Sequence, residues 1–369
     1  MMRRRAIAAA ALVAGILGTA VAAPFTPVLE PRDWSFPRDH GAHPGFRTEW
    51  WYWTGNLAAE GHRYGYEVVF FRRVPDPPTD LAPGYDGWRA AELVPAHVAL
   101  TDIDGRKFHH EQRLHRTIGG MAAADSTRLD VRCGDWWARE RDGVITIDAG
   151  TAAWRLQLEM TTSKPPALHG RQGLSAKGPL PGQASNYYSL TRLDTRGTLT
   201  TGERARPVTG LSWMDHEFFS SDLDTTLAGW DWFSLQLDDG TELMLYRLRG
   251  KPGTGRDWLS GSFVAADGTV RPLAAGAIVI EPVRTWTSPA TGAVYPSGWR
   301  LTVAPLALSL ELTPALDDQE LDTRGSTGVV YWEGSVGVSG RREGRAVAGA
   351  GYAELTGYDG RTPMRGVTP

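Results

Sequence analysis

The segment WDWFSLQLDDGTELMLYRLR, residues 230–249, decides the fold class because it has the pattern of a β-hairpin. Apolar side chains alternate along both arms, and Asp239-Gly240 between them is a preferred hairpin turn. Asp-Gly pairs recur at residues 104, 142 and 267, and no long stretch after the first 22 residues has helical periodicity. The chain is therefore predicted to be all-β, either a sandwich or an antiparallel barrel.

A weak internal repeat predicts two β units in tandem. Tryptophans at 51 and 53 and a glycine at 61 recur, with the same spacing, at 230, 232 and 240. The spacing drifts elsewhere, so a chance recurrence is the alternative. A polar, turn-rich segment over residues 194–207 places the boundary near residue 205. We expect two tandem antiparallel β-barrels packed together, over residues 23–205 and 206–369.

The first 22 residues predict a cleavable signal peptide. Three arginines precede an apolar run, which ends at the small-residue site Ala20-Val21-Ala22. We expect a mature N-terminus at Ala23, a periplasmic or secreted location and no stable membrane span. The net charge of −3 gives no sign of nucleic-acid binding, and the single cysteine, Cys133, excludes an internal disulfide.

The segment FRTEWWYWTGNL, residues 46–57, concentrates four large aromatic rings next to Glu49. In a strand, Trp50 and Tyr52 share one face, while Trp51 and Trp53 share the other face. Both faces are aromatic, so both should be covered, one by a barrel interior and the other by the second barrel. The rings either supply core burial or line a pocket, and both interpretations remain open.

Acidic residues occur within two apolar strands. In LSWMDHEFF, residues 211–219, Asp215 and Glu217 share a face with Trp213, and His216 lies on the opposite face. Asp231 shares its face with apolar residues of the hairpin. Because burial raises the pKa of a carboxyl group, Asp231 is the candidate proton donor, and His216 is the candidate to hold or activate water. Structural carboxylates that accept backbone hydrogen bonds would show the same pattern.

Two other segments carry polar side chains that could meet at a site. RDHGAHP, residues 38–44, brings His40 and His43 ahead of the aromatic strand, but its spacing is not a recognised metal signature. We expect these residues to brace a barrel mouth, without a metal or other cofactor. Residues 161–188 form a long Gly/Pro-rich loop that carries Lys177, predicted as a lid or a plug between the barrels, or as a packed Ω-loop.

Four motifs resemble those of a known family: FPRDHGAHPGFRTEWWYWTGNL, HGRQGLSAKGPLPGQASNYYSLTRL, GLSWMDHEFFSSDLDTTLAGWDWFSLQLDDGTELMLYRLR and GRAVAGAGYAELTGY. The family is the carotenoid 1,2-hydratase (hydroxyneurosporene synthase) superfamily, and the greater similarity is to its secreted branch, named "predicted secreted hydrolase" and linked to attachment loci. The resemblance covers residues from about 36 to 358 and implies two packed lipocalin-like β-barrels. Fungal pericyclases share this architecture, so it hosts more than one chemistry. A Ser-hydrolase activity lacks support, since no G-x-S-x-G motif occurs.

Two functional interpretations follow. The resemblance implies a hydratase-type enzyme on an apolar isoprenoid, carotenoid or lipid-like molecule, in which an acid protonates an alkene and rings stabilise the cation. The alternative is a non-catalytic periplasmic carrier of such a hydrophobic ligand. The candidate catalytic residues are Asp231, His216, Asp215 and Glu217, and the candidate binding residues are Trp50, Trp51, Tyr52, Trp53, Trp213, Trp230, Trp232, His40, His43 and Glu49.

Overall fold

The computed structural model describes residues 25–75, 92–221, 225–253 and 255–360, and the predicted signal peptide lies outside these ranges. As predicted, the described chain is all-β. Its helical parts are short 3₁₀ turns, so no helix among the described residues has the length and apolar character needed to span a membrane. These turns are Arg38–His40, Ile118–Gly120, Ala275–Ala277 and Ala304–Leu306.

The first sheet is antiparallel, has 13 strands and forms a nearly closed barrel. Its strand order is β4-β3-β2-β1-β13-β12-β9-β8-β7-β6-β5, and β10 and β11 pair with β12. The strands are β1 Thr48–Ala59, β2 His62–Arg73, β3 Leu93–Asp102, β4 Lys107–Arg116, β5 Ala122–Ala124, β6 Asp130–Cys133, β7 Trp136–Arg141, β8 Val144–Gly150, β9 Trp154–Thr162, β10 Ala167–Leu168, β11 Leu174–Ala176, β12 Ala184–Thr201 and β13 Arg204–Phe219.

The second sheet has 10 strands in the order β17-β16-β15-β14-β25-β24-β22-β21-β18, with β23 on β24, and we call it the second barrel. A separate two-stranded ribbon, β19-β20, accompanies it. The strands are β14 Leu227–Leu237, β15 Glu242–Gly250, β16 Trp258–Val264, β17 Val270–Leu273, β18 Ile278–Pro282, β19 Thr285–Thr287, β20 Val294–Pro296, β21 Trp299–Val303, β22 Leu308–Pro314, β23 Glu320–Thr323, β24 Val329–Arg342 and β25 Arg345–Thr356.

Strand alternation divides the apolar side chains among three cores. One face of β1 sends Trp51 and Trp53 into the interior of the first barrel, where both are fully buried. The corresponding face of β14 sends Phe233 and Leu235 into the second barrel. A third apolar cluster lies between the barrels and includes Tyr52. Each of these strands therefore has two buried faces, which explains why both faces of β1 are aromatic.

The contact between the barrels brings β1 and β14 together. Tyr52 and Trp232 pack edge to face across it, with ring centroids 5.3 Å apart. Gln236 of β14 donates to the backbone carbonyls of Thr191 and Ser212, at 2.8 and 2.9 Å. Buried rings and satisfied amide donors hold this contact, so its geometry is well defined.

The chain leaves the first sheet after Phe219 and enters the second at Leu227. The division predicted near residue 205 falls instead within the β12–β13 hairpin, whose second strand pairs with β1 and belongs to the first sheet. The polar segment that suggested a boundary is the exposed tip of this long hairpin. Whether each barrel folds as an independent domain stays a prediction.

Candidate functional site

A pocket lies between the two barrels and is lined by both. The first barrel contributes side chains from β1, β2, β3, β12 and β13, and the second contributes side chains from β14, β15, β24 and β25. Its cavity volume is about 130 Å³. One water requires roughly 10–15 Å³ on the same measure, so the pocket can hold a small organic molecule.

Aromatic rings from equivalent strands of the two barrels form its walls. Trp50 and Tyr52 of β1 and Trp230 and Trp232 of β14 all line the pocket, and Tyr52 and Trp232 are in edge-to-face contact. Trp51 and Trp53 do not line the pocket, because the alternation of β1 turns them into the core of the first barrel. Both rings pack against other side chains of that core and contribute buried apolar surface.

One end of the pocket carries Asp215 and Glu217, the two acids that the sequence placed on one face of β13. Asp215 accepts hydrogen bonds from the Trp213 indole at 2.6 Å, the Tyr187 hydroxyl at 2.6 Å and the Ser189 hydroxyl. Trp213 is thus buried behind the pocket and positions Asp215. Burial raises the pKa of Asp215 to about 7, against the opposing effect of these hydrogen bonds.

Lys177 supplies a positive charge at the same end. Its Nζ lies 2.8 Å from Glu217 Oε1 and 4.1 Å from the centre of the Tyr246 ring. The loop predicted as a lid or plug therefore reaches the space between the barrels. The ion pair neutralises Glu217, so Lys177 is already engaged by a carboxylate of the pocket.

The other end of the pocket carries acids that the sequence analysis missed. Glu67 of β2 and Glu354 of β25 line it, and Glu333 of β24 lies behind it. Glu67 and Glu333 are fully buried, whereas Glu354 is partly buried. The sequence signal was a lone acid in each of two apolar strands, YEVVFF and YAELT. Only the packing of the barrels brings them together.

Three hydrogen-bond donors hold these acids. Tyr52 donates to Glu333 Oε1 at 2.7 Å, and Tyr331 donates to Glu67 Oε1 at 3.2 Å. The Trp230 indole donates to Glu354 Oε2 at 2.9 Å. The second oxygen of Glu67 and the second oxygen of Glu333 are buried without any partner.

The electrostatic environment favours the neutral form of all three acids. Burial, followed by the nearby Glu354, raises the pKa of Glu67 to about 8. Burial, followed by repulsion from the other two, raises the pKa of Glu333 well above its usual range. Burial raises the pKa of Glu354 to about 7, in opposition to the Trp230 hydrogen bond. Carboxyl groups with pKa values near neutrality can give and take protons at physiological pH.

His216 does not join Asp215 and Glu217, because adjacent residues of β13 point to opposite faces. It lies in the first barrel, where Nε2 is 2.8 Å from Glu49 Oε1 and Nδ1 is 3.0 Å from the Tyr188 hydroxyl. Its ring stacks on Trp51 with a centroid distance of 4.9 Å. Burial lowers the pKa of His216, so the ring is a neutral member of this internal network.

Glu49 is the centre of that network, and neither it nor the two histidines predicted near the mouth lines the pocket. Its Oε1 is 2.7 Å from His43 Nδ1, and its Oε2 accepts from Arg72 Nε at 2.9 Å. His40 lies nearby, with Nδ1 2.6 Å from the Tyr188 hydroxyl. Burial alone would raise the pKa of Glu49, but hydrogen bonds from His216 and His43 outweigh it and lower the pKa.

The ligand atoms of His43, Glu49 and His216 lie within 4.8 Å of one another, a spacing that a metal ion could use. However, the buried Arg72 guanidinium already supplies the positive charge that Glu49 needs. The two ring nitrogens that face Glu49, His43 Nδ1 and His216 Nε2, are both within hydrogen-bond distance of its Oε1. The cluster is therefore satisfied as a protein network that fixes β1 against β13.

Asp231 also lies away from the pocket. The alternation of β14 turns it from the pocket-facing Trp230 and Trp232 toward the interior of the second barrel. There it accepts hydrogen bonds from Arg249 at 3.0 Å and from Tyr358 at 2.9 Å. Burial raises the pKa of Asp231, but Arg249 and Tyr358 already occupy its carboxyl group. The apolar strand face that suggested a proton donor faces the core of the second barrel.

Comparisons with known proteins agree on the family and the fold. A sequence model of a family described as AttH-like matches residues 27–358. The chain is similar to the crystal structure of an AttH-like protein from Nitrosomonas europaea, with 38% identity, a TM-score of 0.80 and coverage of 90% of this chain and 100% of that one. No match was found among curated proteins.

Two further solved structures are similar at 14% identity, which shows the fold alone. Kievitone hydratase from Nectria haematococca has a TM-score of 0.67, with 90% of this chain and 98% of that one covered. CghA has a TM-score of 0.51, with 85% and 90% covered. The two-barrel architecture is therefore shared with proteins of low sequence identity, one of which is named a hydratase.

Proposed function

The chain belongs to the AttH-like family, and from that premise we propose that it binds an apolar small molecule between its barrels and catalyses a hydratase-type reaction on it. The observation that carries the proposal is one pocket in which tryptophan walls meet carboxyl groups with pKa values near neutrality. Adding water to an alkene, or removing water to form one, requires an acid that protonates and a surface that stabilises positive charge.

Glu354 is the proposed general acid and base. One of its oxygens is held by the Trp230 indole at 2.9 Å, while the residue remains partly exposed in the pocket. Its pKa of about 7 allows it to give a proton to one carbon and to recover a proton from water afterwards. The rings of Trp50 and Trp230 lie where they could face a developing carbocation.

A carrier is the second candidate, and the geometry of Asp215 favours it. Three hydrogen-bond donors already occupy both oxygens of this acid, which suits a structural anchor better than a proton donor. In a carrier, the same rings would grip an isoprenoid, carotenoid or lipid-like chain, and the acids would only orient its polar end.

The location of this activity is also part of the proposal. We assign the protein to the secreted branch of the hydratase superfamily, with export directed by residues 1–22. A periplasmic or secreted protein would meet a substrate that is already outside the cytoplasm, which favours a free lipid-like molecule over a membrane-bound biosynthetic intermediate.

Extraction of the purified protein with organic solvent, followed by mass spectrometry, tests the proposal. An enzyme of the hydratase type should yield, or form on incubation, two species that differ by the mass of one water. A carrier should yield one unchanged species. If neither wild-type protein nor protein incubated with a lipid extract holds an apolar molecule, the pocket has no such function.

A further inference from the structure

The end of the pocket near β2 and β25 has an excess of acids over cations. Among the described residues, Glu67 Oε2 and Glu333 Oε2 are buried oxygens without a hydrogen-bond partner, and Glu67 belongs to the lining of the pocket. Leaving a buried carboxyl oxygen unpaired is costly, and native proteins retain few such groups.

No basic side chain among the described residues forms an ion pair with this cluster. Glu67, Glu333 and Glu354 are hydrogen-bonded by Tyr331, Tyr52 and Trp230, which carry no positive charge. Among the described residues, Lys177 is the ammonium group that lines the pocket, and it is paired with Glu217. The other titratable groups near the cluster, among the described residues, are His97, whose pKa burial lowers to about 3, and the acids Asp215 and Glu217.

A bare metal ion does not fit these acids well. In the described part of the chain, the only group of His, Cys, Asp or Glu side chains with ligand atoms mutually within 4.8 Å is the one around Glu49. The cluster oxygens do not converge in that way, so an ion could not be held by all three. A larger organic cation can contact separate carboxyl groups, and aromatic faces attract it.

We propose that this end of the pocket binds the protonated amine of an otherwise apolar ligand, with Glu67 as its direct partner and Tyr52 and Trp230 as adjacent aromatic walls. The inference rests on the proposed function for the pocket itself and adds a substrate class to it. Glu333 does not line the pocket, and its raised pKa keeps it neutral, so it is not a contact of the ligand.

The protonation of Glu67 suits such a ligand. At neutral pH the pKa of Glu67, about 8, keeps most of that group protonated, so without a bound cation the pocket does not bury a set of like charges. An ammonium group beside Glu67 lowers this pKa, and the displaced proton goes to solvent. Binding of an amine should therefore release protons, whereas binding of a neutral ligand should not.

Isothermal titration calorimetry with geranylamine, geraniol and geranic acid tests the inference, because the three probes share one apolar chain. At pH 7.5 we expect geranylamine to bind about tenfold or more tightly than geraniol. The attraction between the ammonium group and ionised Glu67, at an intermediate dielectric, exceeds the free-energy cost of deprotonating Glu67 by about this factor. Titrations in two buffers of different ionisation heat should show proton release for the amine alone.

Glu67→Gln should abolish the proton release and bring the affinities for geranylamine and geraniol to within about twofold of each other. Glu159→Gln, at an exposed ion pair with Arg196, is the matched control and should change neither. If Glu67→Gln does not fold, the wild-type protein still decides: amine affinity should rise between pH 5 and 8, and geraniol affinity should stay flat.

The outcomes separate the two proposals. Equal affinity for geranylamine and geraniol, or tightest binding of geranic acid, overturns the amine inference and leaves an apolar pocket. Failure of all three probes to bind counts against the pocket as a ligand site and thus against the proposed function.

Discussion

Glu67→Gln should change how the stability of the protein depends on pH. Glu67 has a folded-state pKa of about 8, against a usual value of 4.5, because it is fully buried near Glu354. The folded protein thus binds a proton that the unfolded chain has released over this interval. The stabilisation is complete below pH 4.5 and is lost as the pH rises toward 8.

The magnitude follows from the size of the shift. Each pH unit in this window costs the wild-type protein about 1.4 kcal/mol through this group, or roughly 5 kcal/mol over the whole interval. Glutamine resembles the neutral acid and does not titrate, so the stability of the variant relative to wild type should rise by about 3–4 kcal/mol between pH 5 and pH 8.

Urea unfolding followed by tryptophan fluorescence, at one-unit steps from pH 5 to pH 8, measures the difference. The control Glu159→Gln removes an exposed acid and should give a curve parallel to that of the wild type. Curves for Glu67→Gln and wild type that stay parallel within about 1 kcal/mol would refute the reasoning, because the group would then be ionised or solvated in the folded state.

Three further predictions address the interface, the corrected site and export. Tyr187→Phe removes the hydroxyl that accepts a hydrogen bond from the Trp232 indole at 3.0 Å. The free energy of unfolding in urea titrations should fall by about 1–3 kcal/mol. Asp231→Asn should lower the free energy of unfolding in urea titrations, since Arg249 loses its buried partner. The same variant should leave ligand affinity in the pocket, measured by calorimetry, unchanged. N-terminal sequencing of exported protein should begin at Ala23, and an intact N-terminus on a membrane-bound chain would contradict cleavage.

Much of the fold could be predicted because it is local. Hairpins such as that of β14 and β15 are indicated by Asp-Gly turns and by the alternation of apolar and polar side chains. The two aromatic faces of β1 indicated coverage on both sides, and the structure gives one face to a barrel core and the other to the inter-barrel contact. The resemblance to a two-barrel family supplied the rest.

The site was harder to predict because it is assembled by long-range packing. Alternation alone shows that Asp215 and His216 cannot share a pocket, and the sequence analysis nevertheless grouped them. Asp231 stood on an apolar face, but an apolar face is equally the mark of a barrel core, and this is where it lies. Glu67 and Glu354 are far apart in sequence and meet only through the contact between the barrels.

We assign the chemistry of the inter-barrel pocket to Glu354, and the incorporation of labelled water measures that chemistry. The ligand recovered from the protein should be incubated with wild-type protein, with Glu354→Gln and with the control Glu159→Gln in water enriched in oxygen-18. We expect wild type and the control to add labelled oxygen to the ligand or to exchange its hydroxyl. We expect Glu354→Gln to bind the ligand but to slow this reaction at least about a hundredfold. Equal incorporation by Glu354→Gln and wild type, or none above the protein-free rate by any of the three, would contradict it.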